Sequence, residues 1–298
     1  LSIGIICAAG ALATLIPPSV VLIIYGLAAQ VSITKLFAAS AVPGLILASL
    51  YIGYILIRVR LNPAMAPIYD IPETGLPFFQ RLKYLKGVIL PGVLIGAVLG
   101  VIYSGIATVT EAAAIGAVGA LVIAALRGEL NWKMARDSMR QTVLTVGSII
   151  WLVLGAVSLI GIYNRIGGGE FLRGVLTGLD LAPIMVIVVM MLIVMLLGTF
   201  LEWIAIIFIT VPIFAPVVID LGYDPIWFGV LFAMNIQIYY LSPPFGPACF
   251  FLKSVAPKEI ELQDIFLAVL PFIGLQIVGL FLVLFIPDLA LWLPSMME

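Results

Sequence analysis

Leu15-Ile16-Pro17-Pro18-Ser19 and Leu241-Ser242-Pro243-Pro244-Phe245 decide how this chain folds. Each proline pair interrupts a long apolar run. Proline has no backbone N–H, and in a helix it also clashes with the carbonyl one turn back. The carbonyls it frees cannot face lipid, so they must face protein, water or a bound ion. The surroundings of the two pairs also match. Ser32-Ile33-Thr34-Lys35-Leu36-Phe37 and Pro43 follow the first pair; Glu259-Ile260-Glu261-Leu262-Gln263-Asp264-Ile265-Phe266 and Pro271 follow the second. The offset is 226 residues from Pro17 to Pro243 and 228 from Pro43 to Pro271. A broken helix in each of two repeats is the sequence pointer to a secondary transporter.

Composition agrees. Of 298 residues, 64% are hydrophobic and 10% charged, and mean hydropathy is +1.29. A soluble domain, a disordered chain and a nucleic-acid binder are excluded, and the long unbroken apolar runs do not read as barrel strands. The net charge of -1 indicates no partner. The chain has no His, and its two cysteines, Cys7 and Cys249, form no metal-binding spacing. The opening run Leu1–Ile16 has no basic region and no cleavage site, so it is no signal peptide; an internal start with upstream segments missing is expected.

Nine apolar segments are expected. The first, Leu1–Ala29, is interrupted by Pro17-Pro18, and the second is Leu36–Ile57. After the polar stretch 58–86 come Gly87–Tyr103 and Ile106–Leu126. An amphipathic stretch, Arg127–Gln141, precedes Thr142–Tyr163. A loop, Asn164–Ala182, with a turn at Gly167-Gly168-Gly169, leads to Pro183–Gly198 and Trp203–Ile219. Ile226–Ala256 is interrupted by Pro243-Pro244, and Ile265–Ile286 is last.

The positive-inside rule places Arg58, Arg60, Arg81, Lys83 and Lys86 on the cytoplasmic side with Arg127, Lys133, Arg136 and Arg140. Lys253 and Lys258 join them, so eleven basic residues are inside and three (Lys35, Arg165, Arg173) outside. The second and ninth segments then run in opposite directions, which makes the repeats inverted. The expected fold is a single all-α polytopic membrane domain over 1–298. Residues 1–57 end the first inverted repeat, 58–86 form a cytoplasmic loop, 87–163 supply linking scaffold helices, and 183–292 form the second repeat.

Ionisable residues inside a bilayer are costly and mark sites. Glu111, in Thr108-Val109-Thr110-Glu111-Ala112-Ala113-Ala114, is either a substrate or ion contact or a helix-start acid held by the helix dipole. Glu202 lies in Gly198-Thr199-Phe200-Leu201-Glu202, either the tip of a re-entrant hairpin or an ordinary external loop. Thr14, Ser19 and Ser242 flank the proline breaks. Their hydroxyls, with freed carbonyls, suit a hard cation such as Na⁺ or a proton-linked water, and half-helix N-termini suit an anion. No hydrolase, nucleotide-binding or metalloprotease signature is present, so the chain does not read as an enzyme. Without an ATP site, an ion gradient is the natural energy source.

Gly10–Ser19, Thr108–Ala114, Gly222-Tyr223-Asp224-Pro225-Ile226-Trp227-Phe228-Gly229 and Leu241–Gly246 resemble, in order and over essentially the whole chain, the large membrane (M) subunit of tripartite ATP-independent periplasmic (TRAP) transporters. The resemblance implies a bacterial or archaeal inner-membrane importer of small organic acids, such as C4-dicarboxylates or sugar acids, driven by Na⁺ symport with no other cofactor. It implies two partners, a small membrane (Q) subunit and a periplasmic substrate-binding (P) protein. It also implies an elevator mechanism. Thr14–Ser19 would be the first broken helix, Ser242–Gly246 the second, and Gly198–Glu202 the tip of the second hairpin, with the first hairpin upstream of Leu1.

The substrate or ion site would then comprise Gly10, Thr14, Pro17, Pro18, Ser19, Thr108, Glu111, Gly198, Thr199, Glu202, Ser242, Pro243, Pro244 and Gly246. Na⁺ would lie near Thr14, Pro17, Thr199 and Ser242. The chain departs from the family pattern at Ala13 (usually Gly), Glu202 (commonly Asp), Ser242 (usually Thr) and Phe245 (usually Val). A stand-alone ion-coupled anion carrier of a related inverted-repeat family is the alternative. A channel, a membrane-embedded enzyme and a pure scaffold subunit fit the paired breaks less well.

Overall fold

The computed structural model describes residues 1–65, 78–178, 181–244, 246–257 and 259–297. The expected loop positions 66–77, together with Phe245 and Lys258, lie outside the described residues. The described chain is helical, with no strand among the described residues. Two compact units are formed, one from Leu1–Met65 with Ile149–Glu298, the other from Ala66–Ser148.

In the first unit the opening run is broken as the prolines dictate, into α1 (Ser2–Leu12) and α2 (Val20–Ala29). α3 (Ile33–Leu61) follows, with Ser32 accepting from Lys35 N and Pro43 inside. In the other unit α4 (Phe78–Tyr103) and α5 (Val109–Leu126) pack as neighbours. Gly116 lies under Val98, and a side chain at Gly119 would strike Leu94. Arg127 donates to the Gly87 carbonyl at 2.7 Å. α6 (Trp132–Arg165) runs across the boundary between the units.

The first unit continues with α7 (Gly168–Thr177), α8 (Pro183–Leu197) and α9 (Trp203–Asp220). α10 (Pro225–Leu241) and α11 (Pro247–Val255) are the halves of the second broken run. α12 (Leu262–Phe285) and α13 (Asp288–Ser295) end it. Among the described residues five helices, α3, α5, α6, α9 and α12, are long and apolar enough to cross a membrane. Many side chains on α4–α6 are apolar and exposed, among them Val143 at 70% and Trp151 at 78%. Acyl chains solvate such a surface, so it carries no cost in a bilayer.

Three expectations change. Arg127–Gln141 is not a separate stretch; from Trp132 it is the start of the 34-residue α6. Asn164–Ala182 is not a plain loop. Gly167 makes the turn, with φ +81°, but Gly168 and Gly169 open α7. The stretch 58–86 is entered by helix at both ends, α3 reaching Leu61 and α4 starting at Phe78.

The core of the first unit is α10, in which every residue from Trp227 to Tyr239 is buried. The two repeats cross-pair around it. α1 packs on α11 and α12, and α10 packs on α2 and α3. Tyr25 on α2 donates its hydroxyl to the Pro225 carbonyl at 2.8 Å and sets its ring tilted against Phe228 and Phe232. Gly4 on α1 meets the Ala268 backbone and Phe272 of α12, while Gly229 on α10 meets Tyr25 and Leu36 of α2 and α3. Each interrupted helix thus uses a glycine to approach the other repeat.

Candidate functional site

Both Pro-Pro bonds, Pro17-Pro18 and Pro243-Pro244, are cis. The first break is closed by its own hydroxyls. Thr14 Oγ1 donates to the Ala11 carbonyl at 2.9 Å. Ser19 Oγ donates to the Thr14 carbonyl and accepts from Leu22 N at 3.4 Å. Ser19 therefore caps α2 and ties it back to the exit of α1. Ser19 and Pro17 are buried, while Gly10 and Pro18 are exposed, and the space beside Gly10 is open.

The second break is built differently. Ser242 Oγ donates to the Ile238 carbonyl at 2.6 Å. α11 starts at Gly246, which supplies no side-chain cap. Its φ is +24°, and a Cβ there would lie 2.7 Å from the Phe266 ring and 3.2 Å from the Leu241 and Ser242 carbonyls. Only glycine fits.

The tip between α8 and α9 leans on α10 immediately before this break. A Cβ on Gly198 would come within 2.6 Å of the Tyr239 ring. Thr199 Oγ1 donates to the Leu196 carbonyl at 2.7 Å. Glu202 caps α9, its Oε2 accepting from Ile204 N at 2.9 Å. A cleft of about 250 Å³ opens here, lined by Leu201, Glu202, Trp203, Tyr239, Tyr240, Pro247 and Phe251. One carboxylate in an otherwise aromatic and apolar cleft favours a cation over an anion. Thr199 and Ser242 each spend their hydroxyl hydrogen on a carbonyl one turn back, which leaves oxygen lone pairs for a ligand.

The structure thus brings Gly198 and Glu202 against Tyr239 and Tyr240, in the last turn of α10 before Ser242, Pro243 and Pro244. Of the expected site residues Glu202 alone lines this cleft; Thr14, Pro17, Pro18 and Ser19 of the first break do not, and neither do Thr199, Ser242, Pro243, Pro244 or Gly246. A thiol adds a further tie between the repeats: Cys7 Sγ on α1 reaches the Ala248 carbonyl on α11 at 3.9 Å. Within the second repeat Cys249 Sγ reaches the Leu241 carbonyl at 3.6 Å. Thr108 and Glu111 belong to the other unit and close a reciprocal cap on α5. Glu111 Oε2 accepts from Thr108 N and Oγ1, both at 2.8 Å, and Glu111 N donates to Thr108 Oγ1 at 3.3 Å. Among the described residues no cluster of three or more acids and cysteines could hold a metal ion.

Sequence reasoning passed over Tyr239, Tyr240 and Phe251, the aromatic walls of the cleft. Their signal was available: two consecutive tyrosines stand directly before a break flanked by serine.

This is a polytopic α-helical membrane protein whose two interrupted helices meet in one core, the architecture of secondary carriers. Comparison with known proteins makes the assignment specific. The family described as "Tripartite ATP-independent periplasmic transporter, DctM component" matches residues 1–289, and the chain belongs to that family. It is 33% identical, over 98% of its length, to the C4-dicarboxylate TRAP transporter large permease protein DctM of Pseudomonas aeruginosa, covering 67% of that protein. It is 29% identical to the sialic acid TRAP transporter large permease protein SiaM of Vibrio cholerae, covering 98% of this chain and 67% of that one. It is 30% identical to the isethionate TRAP transporter permease protein DctMQ of Oleidesulfovibrio alaskensis, covering 98% of this chain and 45% of that one. The chain is therefore a transporter permease rather than an enzyme. Large permeases of this family work with a small membrane subunit and a periplasmic binding protein.

Proposed function

We propose that this permease imports a small organic acid across the bacterial cytoplasmic membrane, driven by a Na⁺ gradient and supplied by a periplasmic binding protein. The observation that carries the ionic part is the Glu202 cleft at the second break. It joins a carboxylate, two tyrosines and the start of an uncapped half-helix within about 250 Å³. A cation held beside Thr199, Ser242 and Glu202 would neutralise the cleft and let an anionic substrate approach the α11 N-terminus. At the first break, Thr14 and Pro17 would serve a second cation, and Gly10 leaves room for solute. Thr108 and Glu111 would act as the cap of α5. The movement would be an elevator step of the broken helices and the α8–α9 hairpin.

Relatives named for C4-dicarboxylates, sialic acid, isethionate and ectoine span carboxylates, a sulfonate and a zwitterion, which supports a small charged organic solute as the class. The test is uptake of labelled acids into proteoliposomes holding the full-length permease and its small subunit. Uptake that requires both the binding protein and an inward Na⁺ gradient is expected. Uptake without the binding protein would point instead to a stand-alone carrier, and uptake indifferent to Na⁺ would overturn the coupling.

A further inference from the structure

Among the described residues, the buried side-chain polar atoms that meet no partner within the protein belong to three residues: Tyr51 Oη and both amide atoms of Gln237 and of Gln276. They sit on three different helices, α3, α10 and α12. Gln237 is 0% exposed, Gln276 1% and Tyr51 5%. Folded proteins rarely leave such atoms unsatisfied, because each would carry the full penalty of its lost hydration.

Packing register brings the three together. α10 and α12 run antiparallel: Trp227 Nε1 donates to the Val283 carbonyl at 2.8 Å, and further along α10 the Met234 side chain reaches Gly279. Gln237 lies one turn beyond Met234, and Gln276 one turn before Gly279, so the two carboxamides fall at the same level. Leu47 of α3 also touches Gly279, and Tyr51 lies one turn further on. The Gln276 amide lies beside the Tyr51 hydroxyl, near it but outside hydrogen-bonding geometry. The Tyr51 ring meets Phe272 edge-on at 5.3 Å.

The geometry points to a buried water-binding site enclosed by Tyr51, Gln237 and Gln276. The ligand chemistry selects water. Each carboxamide brings two N–H donors beside its one acceptor, and the phenol brings one of each. A cation would face those donors with no carboxylate among the named walls, which are Leu47, Met234, Phe272 and Gly279. Water offers two donors and two acceptors and characteristically satisfies about three otherwise unpaired buried groups. The site lies on α10 upstream of its break, and it pins that helix to α3 and α12, the equivalent helices of the two repeats.

The test is a double-mutant cycle on the thermal midpoint of the full-length protein in nanodiscs, with Gln237→Met, Gln276→Met and both together. Methionine keeps the volume and removes the polar atoms. Each single variant is expected to lower the midpoint, and the double variant to lose less than the sum. Single variants that raise the midpoint, or strictly additive losses, would overturn the shared site. The rise in midpoint with NaCl over choline chloride should be the same in the wild type and in Gln276→Met, because Na⁺ acts at the breaks and not here; a Na⁺-specific rise lost in that variant would overturn water in favour of a cation. If the variants fail to fold, a high-resolution density map of the native protein decides. Density for water between the three side chains supports the site, and direct amide–amide pairing with no water refutes it.

Discussion

The two breaks share the pattern Leu-x-Pro-Pro, yet they end differently. The first is sealed by Ser19, which caps α2 and binds the Thr14 carbonyl. The second is opened by Gly246, which leaves α11 without a side-chain cap beside the Glu202 cleft. A repeated sequence therefore sets where a helix stops, while the residue one or two places later sets whether the next half-helix begins with a side-chain cap.

The sharpest way to break this contrast is Gly246→Ala. The added Cβ would meet the Phe266 ring and two carbonyls at a positive φ, so the cost should be about 1–3 kcal/mol. Loss of uptake together with a lowered thermal midpoint is expected. A variant that transports normally would show that the second break needs no glycine. Next is Glu202→Gln, which keeps the shape of the α9 cap and removes the charge. The Na⁺ half-saturation should rise by roughly tenfold or more, since contacts to charged groups are worth about 1.5–3 kcal/mol. An unchanged half-saturation would remove the cation from this cleft.

Ser242→Ala and Thr199→Ala should weaken Na⁺ dependence a few-fold while leaving expression intact. Counting protein in the membrane beside the Na⁺ titration separates these effects. Ser19→Ala sharpens the comparison from the other side. It should cost about 1–2 kcal/mol of stability through the lost cap, with a smaller change in Na⁺ dependence than Ser242→Ala. The smallest effect is expected for Thr108→Ala, a slight fall in midpoint with Na⁺ half-saturation unchanged. A large transport defect there would make the α5 cap part of the solute path.

Much of the architecture was legible because proline and charge are local signals. The two proline pairs interrupt the runs where α1 gives way to α2 and α10 to α11. The order of the apolar segments survives as helices. α7 was not legible, since its short amphipathic sequence opens with glycines that read as a turn. Nor were the cleft walls and the buried carboxamides. In a membrane protein, lipid-facing and core-facing sides are both apolar, so the sequence of α10 carries little periodicity to show which face Tyr239, Tyr240 or Gln237 presents. Those positions are fixed by how helices pack across more than 40 residues of chain, as Trp227 with Val283 shows.

The cross-pairing of the repeats also bears on biogenesis. α2 is only 10 residues long, about 15 Å of helix against a hydrocarbon core of about 30 Å. Its Tyr25 partner on α10 is 200 residues further along the chain. At a ribosomal speed of about 5–20 residues per second, that partner emerges roughly 10–40 s later. During that interval the half-helix must be sheltered by the insertion machinery or by other nascent helices.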